Sequence, residues 1–226
     1  MTFTSRSAPN SNKILRQPID GSGEAEKLLE SDHWQRPYTW SRDGKILVYS
    51  DSPEGKGPDI WLLSLEGERK TEPFQAILET DEVNAMVSPD GQWVAYLSVE
   101  SGQMEIYVRP FPTGSGKQLI STHTGDFPRW SHDGTELFYI ERAEDNSRVM
   151  AVPVKSGRGL FEAGKPKLLF EFRGLVSSAQ GSYDVAPDGR FIFIKREKME
   201  EVDRTHLRLI FNWFDEVRAK VPTGKN

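Results

Sequence analysis

The 226-residue chain contains no cysteine, only four histidines, and no surplus of basic charge. Without cysteine there is no disulfide framework, no thiolate nucleophile, no thiolate zinc site and no iron–sulfur ligation. Twenty-nine Lys and Arg against 34 Asp and Glu leave a net charge of -5, so no global basic field gathers nucleic acid. No window approaches 18 consecutive apolar residues, and residues 1–20 lack the apolar centre of a signal peptide. The chain as written is therefore expected neither to insert into a membrane nor to carry its own export signal. With 36% apolar and 11% aromatic residues it has the material for a folded core.

What the sequence does contain is a repeat. TWSRDGKILVYS, MVSPDGQWVAYLS, RWSHDGTELFYIE and DVAPDGRFIFIK each carry an Asp-Gly turn between two apolar strands. The turn aspartates Asp43, Asp90, Asp133 and Asp188 are 47, 43 and 55 residues apart. In Ser-Pro-Asp-Gly the proline presets φ, the Asp bonds nearby backbone, and the Gly accepts positive φ, which together make a tight hairpin. Further strands follow at fixed offsets: DIWLLSL from Asp59, EIYVRPF from Glu105 and VMAVPV from Val149, then the weaker PFQAIL, KQLIST and PKLLFEF. Four strands per roughly 45 residues is the period of a propeller blade, and strands apolar on both faces suit sheets stacked between neighbours.

The expected organisation is a single all-β propeller region of about five blades. Residues 1–33 form a partial blade without an inner strand, 34–80, 81–123 and 124–173 form complete blades, and 174–226 form a partial blade. Eighteen strands are counted, which points to part of a six-bladed ring. The ending NWFDEVRAKVPTGKN reads as a short helix, opened by Asn212 and Asp215 and stopped by Pro222 and Gly224.

These repeats resemble the TolB-like class of WD-type β-propeller repeats, whose hairpin signature is Ser-Pro-Asp-Gly before an apolar strand. More narrowly, DIWLLSLEGE, EIYVRPFP, PRWSHDGTELFYI, YDVAPDGRFIFI and NWFDEVRAKVPTGK are similar to the C-terminal propeller of eukaryotic-like serine/threonine kinases of soil bacteria, Acidobacteria in particular. That resemblance implies an extracytoplasmic sensor or interaction region, with the kinase lying elsewhere. Arg42 and His132 depart from the motif proline and Ala186 from its serine. No Gly-rich phosphate loop, His-Arg-Asp, Asp-Phe-Gly or Gly-x-Ser-x-Gly occurs, so neither kinase nor serine hydrolase chemistry is expected of this chain.

Candidate ligand contacts lie where the inner strands begin, at the end that would surround a central channel. They are Trp34, Arg36, Asp81, Glu82, His123, Asp126, Phe127 and Tyr183. Exposed aromatics there suit a peptide or glycan. The expected role is a non-enzymatic module binding a protein, peptide or cell-envelope ligand, with no cofactor. Two alternatives stand beside it: a hydrolase-type propeller holding a metal at the channel mouth, and a fragment whose open strand edges self-associate.

Overall fold

In the middle strand of each repeat, odd and even positions are both apolar, so each sheet must be covered on both faces. The computed structural model describes residues 1–8, 11–75, 80–113, 115–142, 146–157, 159–173 and 183–193. All of them fall in the unit Met1–Phe193. The expected C-terminal helix and the strand around LRLIFNW lie outside the described residues.

Every described element is a strand, and the sheets are antiparallel meanders. The first holds β1 (Thr2–Ala8), β2 (Ser11–Arg16) and β3 (Glu26–Ser31). The second holds β4 (Trp34–Trp40), β5 (Ile46–Ser52), β6 (Asp59–Ser64) and β7 (Lys70–Gln75). The third holds β8 (Glu82–Val87), β9 (Trp93–Ser98), β10 (Glu105–Pro110) and β11 (Gln118–Leu119). The fourth is larger than the repeat predicts. Besides β12 (Asp126–Trp130), β13 (Glu136–Arg142) and β16 (Lys167–Arg173) it contains β14, a twelve-residue strand (Asn146–Gly157). The far half of β14 folds back on an additional strand, β15 (Leu160–Ala163). The repeat pattern passes from VMAVPV to PKLLFEF without a strand between them, because Leu160 and Phe161 alone carry little strand pattern. The last sheet is β17 (Tyr183–Val185) with β18 (Phe191–Phe193).

The Asp-Gly hairpins form as their chemistry requires. In the second sheet Ser41 Oγ donates to Asp43 Oδ1 (2.5 Å), the Lys45 N–H donates to the same oxygen (3.1 Å), and the Gly44 N–H closes the turn on Ser41 O (2.9 Å). Ser88–Asp90 and Ser131–Asp133 repeat the arrangement. Gly44, Gly91, Gly134 and Gly189 all take φ between 71° and 82°, where a side chain would be strained. Three donors on one carboxylate hold Asp133 down to about 2. Arg42 and His132 leave the geometry unchanged, since proline presets a conformation that other residues also adopt. Ala186 has no hydroxyl, and that turn rests on the Gly189 and Arg190 backbone donors.

The core consists of seams between successive sheets, and alternation decides which seam a residue enters. Along β9, Trp93, Ala95 and Leu97 pack with Trp130, Leu137 and Tyr139 of the fourth sheet. Val94 and Tyr96 point the other way, to Val48, Ile60 and Leu62 of the second. Leu47 and Tyr49 of β5 meet Ile14 and Leu28 of the first sheet, opposite Val48. Phe127, Ile140, Val149 and Tyr183 close the last seam. Each large side chain so buried contributes about 1.5–3 kcal/mol.

One seam position has no room to spare. A Cβ on Gly125 would lie 2.7 Å from Ile106 Cγ1, 3.1 Å from Ser121 Cβ and 3.3 Å from Tyr139. Gly125→Ala is therefore expected to lower stability by about 1–3 kcal/mol through overpacking. A urea midpoint equal to that of the unsubstituted chain would show that the seam is looser than described.

Candidate functional site

The inner strands β4, β8, β12 and β17 approach one another in that order, so their first residues are presented at corresponding ends of successive sheets. Register builds the site from there. Gln35 pairs with Asp51 across β4 and β5, and Glu82 occupies the same place opposite Ser98 across β8 and β9. Each such pair buries a carboxylate near a sheet end, and the surroundings of each differ.

Asp51 is buried and fully engaged. Gln35 Nε2 donates to Oδ1 (2.9 Å), and His33 Nδ1 donates to Oδ2 (2.8 Å). Glu82 is completely buried, with only hydroxyl donors: Thr80 Oγ1 at 2.7 Å and Ser98 Oγ at 3.2 Å, both to Oε1. Its Oε2 has no donor, and the acidic neighbour Asp59 stands beside it. Burial pushes Glu82 up to about 7, helped by Asp59 and opposed by the two hydroxyls. Asp59 is raised as well, chiefly by burial. Protonation of Glu82, which its raised pKa favours, removes the cost of a buried charge beside Asp59.

Asp126 opens β12 and is also buried. Arg142 Nη2 donates to Oδ2 (2.9 Å); Asn84 Nδ2 and the Phe127 N–H donate to Oδ1 (2.8 Å each). Desolvation outweighs these partners and raises its pKa. Asn84 and Phe127 hold equivalent positions in their repeats, and both adopt positive φ, 59° and 50°. Both lie in a register shift, between Val83 and Met86 and between Asp126 and Arg129. A bulky residue in that region is strained. Phe127 is held there by its buried ring, by its N–H on Asp126, and by its carbonyl, which accepts the Tyr183 hydroxyl at 2.8 Å. These bulges turn the inner strands and link each sheet to the next.

Burial divides the sequence-predicted residues into two sets. Glu82, Asp126, Phe127 and Tyr183 are enclosed, and their polar atoms serve the framework. Trp34, Arg36, Asp81 and His123 remain accessible. Trp34 is 52% exposed, and Arg36 lies 5.7 Å from the Tyr38 ring. The Asp81 carboxylate is seated against Gly57, where a Cβ would come within 1.8 Å of Oδ1. His123 is largely exposed, with Nδ1 3.8 Å from Glu141 Oε2. Sequence reasoning missed Asp51, Asp59 and Arg142, whose roles arise from register and not from any motif. Trp40 and Trp130 each stand immediately before the turn serine of their repeats, and their indoles act alike: Trp40 Nε1 donates to Thr2 Oγ1 and Trp130 Nε1 to Met86 O, each reaching the preceding sheet. Among the described residues no three His, Asp or Glu side chains converge to hold a metal ion.

These sheets and seams define an all-β chain of the propeller class. Solved structures with the same fold include a TolB protein from Agrobacterium tumefaciens, at TM-score 0.64 and 21% identity, covering 85% of this chain and 70% of that one. TolB from Acinetobacter baumannii also matches at 0.64 and 20% identity, over 87% of this chain and 46% of its own. An oligogalacturonate lyase from Vibrio parahaemolyticus matches at 0.56 and 15% identity, over 81% of this chain and 51% of the lyase. The Tricorn protease homolog 1 of Streptomyces coelicolor is 30% identical over 143 residues, which is 58% of this chain and 12% of that protein. The matched stretch thus spans about an eighth of that relative. No family model matches the chain.

Proposed function

We propose that the chain is a non-enzymatic binding module of TolB-like architecture that engages a protein, peptide or cell-envelope ligand where its inner strands begin. The observation that carries this reading is the separation just described. Glu82 and Asp126, whose pKa values burial raises, are enclosed between the sheets, while Trp34, Asp81 and His123 stay accessible at the starts of successive sheets. An exposed aromatic beside accessible polar groups suits recognition, and the two carboxylates with burial-raised pKa values that would suit proton transfer are enclosed. In this reading the module forms part of a six-bladed propeller in a longer bacterial protein, outside the cytoplasmic membrane, as the sensor or interaction region of a serine/threonine kinase or a TolB-like envelope protein. The repeat period supports the propeller, the TolB-like fold supports the envelope placement, and the link to a kinase rests on the sequence resemblance alone.

The test is retention of components from a bacterial envelope extract on the immobilised full chain. The combined substitution Trp34→Ala, Asp81→Ala and His123→Ala is expected to reduce retention by at least about tenfold with an unchanged melting temperature. Equal retention by the substituted chain would overturn the proposed face.

A further inference from the structure

A concave pocket of about 390 Å³ lies at the seam of the first and second sheets, and the exposed Trp34 ring forms one wall. Around it stand Arg6 of β1, Asn12 of β2, Asp32 and His33 of the connection before β4, and Glu54 beyond β5. We propose that this pocket is a saccharide subsite, seating one pyranose ring against the indole. The inference rests on the binding-module reading and specifies the ligand chemistry at one part of its surface.

Three observations favour a sugar over other ligands. First, Trp34 is the one aromatic among the large exposed apolar side chains of the described residues, and it is surrounded by polar groups. An indole offers a flat apolar face, which matches the C–H face of a pyranose, while a wholly apolar ligand would leave the polar rim desolvated. Second, the rim supplies donors and acceptors together: the Arg6 guanidinium, the Asp32 and Glu54 carboxylates and the Asn12 amide. Hydroxyl groups both donate and accept, so one ring of them pairs with such a mixed set, whereas a phosphate would face two carboxylates. Third, the pocket is held in shape from behind. Asn12 is 96% buried by its relative exposure of 4%; its Nδ2 donates to Asp32 O (3.3 Å), while its Oδ1 accepts from no protein group. The His33 ring is held by Asp51 at 2.8 Å, the His33 backbone N–H donates to Ser31 Oγ at 3.0 Å, and Nε2 lies 3.4 Å from Asp32 Oδ1. Asp51 in turn accepts from Gln35. The volume falls in the range of small-molecule sites.

Cellobiose, maltose, N,N′-diacetylchitobiose and, as a non-sugar probe, the tripeptide Gly-Lys-Gly are titrated separately into the full chain, with binding followed by saturation-transfer NMR and calorimetry. At least one disaccharide is expected to bind in the millimolar range or tighter. Trp34→Ala should weaken it by at least about tenfold and Trp34→Phe by less, both with unchanged melting temperature. Three results would overturn the proposal: no disaccharide binding up to the solubility limit, saccharide binding indifferent to Trp34→Ala, or Trp34-dependent binding of the tripeptide alone. Loss of envelope-component retention in the triple variant with no saccharide response would sink the subsite and leave the binding-module reading standing. A saccharide response with no retained component would do the reverse.

Discussion

Replacing Asp126 with alanine is expected to destabilise the chain by about 2–4 kcal/mol, lowering its melting temperature by roughly 5–15 °C. The carboxylate is buried and ties three donors from two sheets: the Arg142 guanidinium, the Asn84 amide and the Phe127 N–H. Desolvation raises its pKa despite the ion pair, so burying the charge offsets much of what the pair contributes. Removing one partner is different, because it strands the others. Arg142 can still reach water, with 31% of its side chain exposed, but Asn84 and the Phe127 N–H lose their acceptor. The Phe127 backbone, already at φ 50°, would lose one of its restraints, and with it the Tyr183 contact that joins the last seam. Asp126→Asn keeps an acceptor for two of the three donors and should cost about half as much. Chemical denaturation of both variants decides the matter; an alanine variant within about 0.5 kcal/mol of the unsubstituted chain would show that the cluster does not join the sheets.

The second large effect is a stability that falls as pH rises. Glu82 moves from its ordinary 4.5 in the unfolded chain to about 7 in the folded one, because burial penalises its charge. Between those values the native state holds the proton more tightly, so each step upward in pH favours unfolding. The loss across the window has a ceiling of about 3 kcal/mol. Asp59, also raised, adds a contribution of the same sign. The lowered carboxylates Asp43, Asp90 and Asp133 act oppositely at more acidic pH, where protonation breaks their turn bonds. Maximum stability is therefore expected near about pH 5, below the usual neutral range. Glu82→Gln reproduces the protonated form, accepting from Thr80 and Ser98 through Oε1 and donating toward Asp59 through Nε2. It should be more stable than the unsubstituted chain above pH 7 by about 2 kcal/mol and equal to it near pH 5. Melting temperatures from pH 5 to 8 for both proteins test this; parallel curves would mean that Glu82 ionises normally.

Both effects arise at places that carry no local signature. The Asp-Gly hairpins, the strands of the second and third sheets and the two-sided burial of β5, β9 and β13 were legible because turn chemistry and side-chain alternation act over a few residues. That range ends where contacts depend on partners far along the chain. Glu82 and Asp126 both read as accessible polar residues at the start of a strand, and the sequence offered no reason to separate them from Asp81. Burial separates them: one residue of register turns a side chain from the surface into a seam. The positive φ of Phe127 was equally hidden, since an aromatic residue does not favour it and only a bulge held from both sides maintains it; Asn84 tolerates that region, but nothing local requires it there. β15 escaped notice because it exists only by pairing with the extension of β14.

Trp34 stands out within the repeat itself, since Asp81 and Thr124 take its place in the next two repeats. The pocket beside it was not foreseeable, because Arg6 and Asn12 come from the first sheet and meet Asp32, His33 and Glu54 only when that sheet stacks on the second. The sequence by itself determined the repeat, its turns and the all-β class, since these follow from periodicity and local backbone preference. The tertiary structure alone decided which carboxylates keep their protons, which residues remain open to a ligand, and where a concave polar surface forms, because desolvation and concavity exist only once separate sheets exclude water between them.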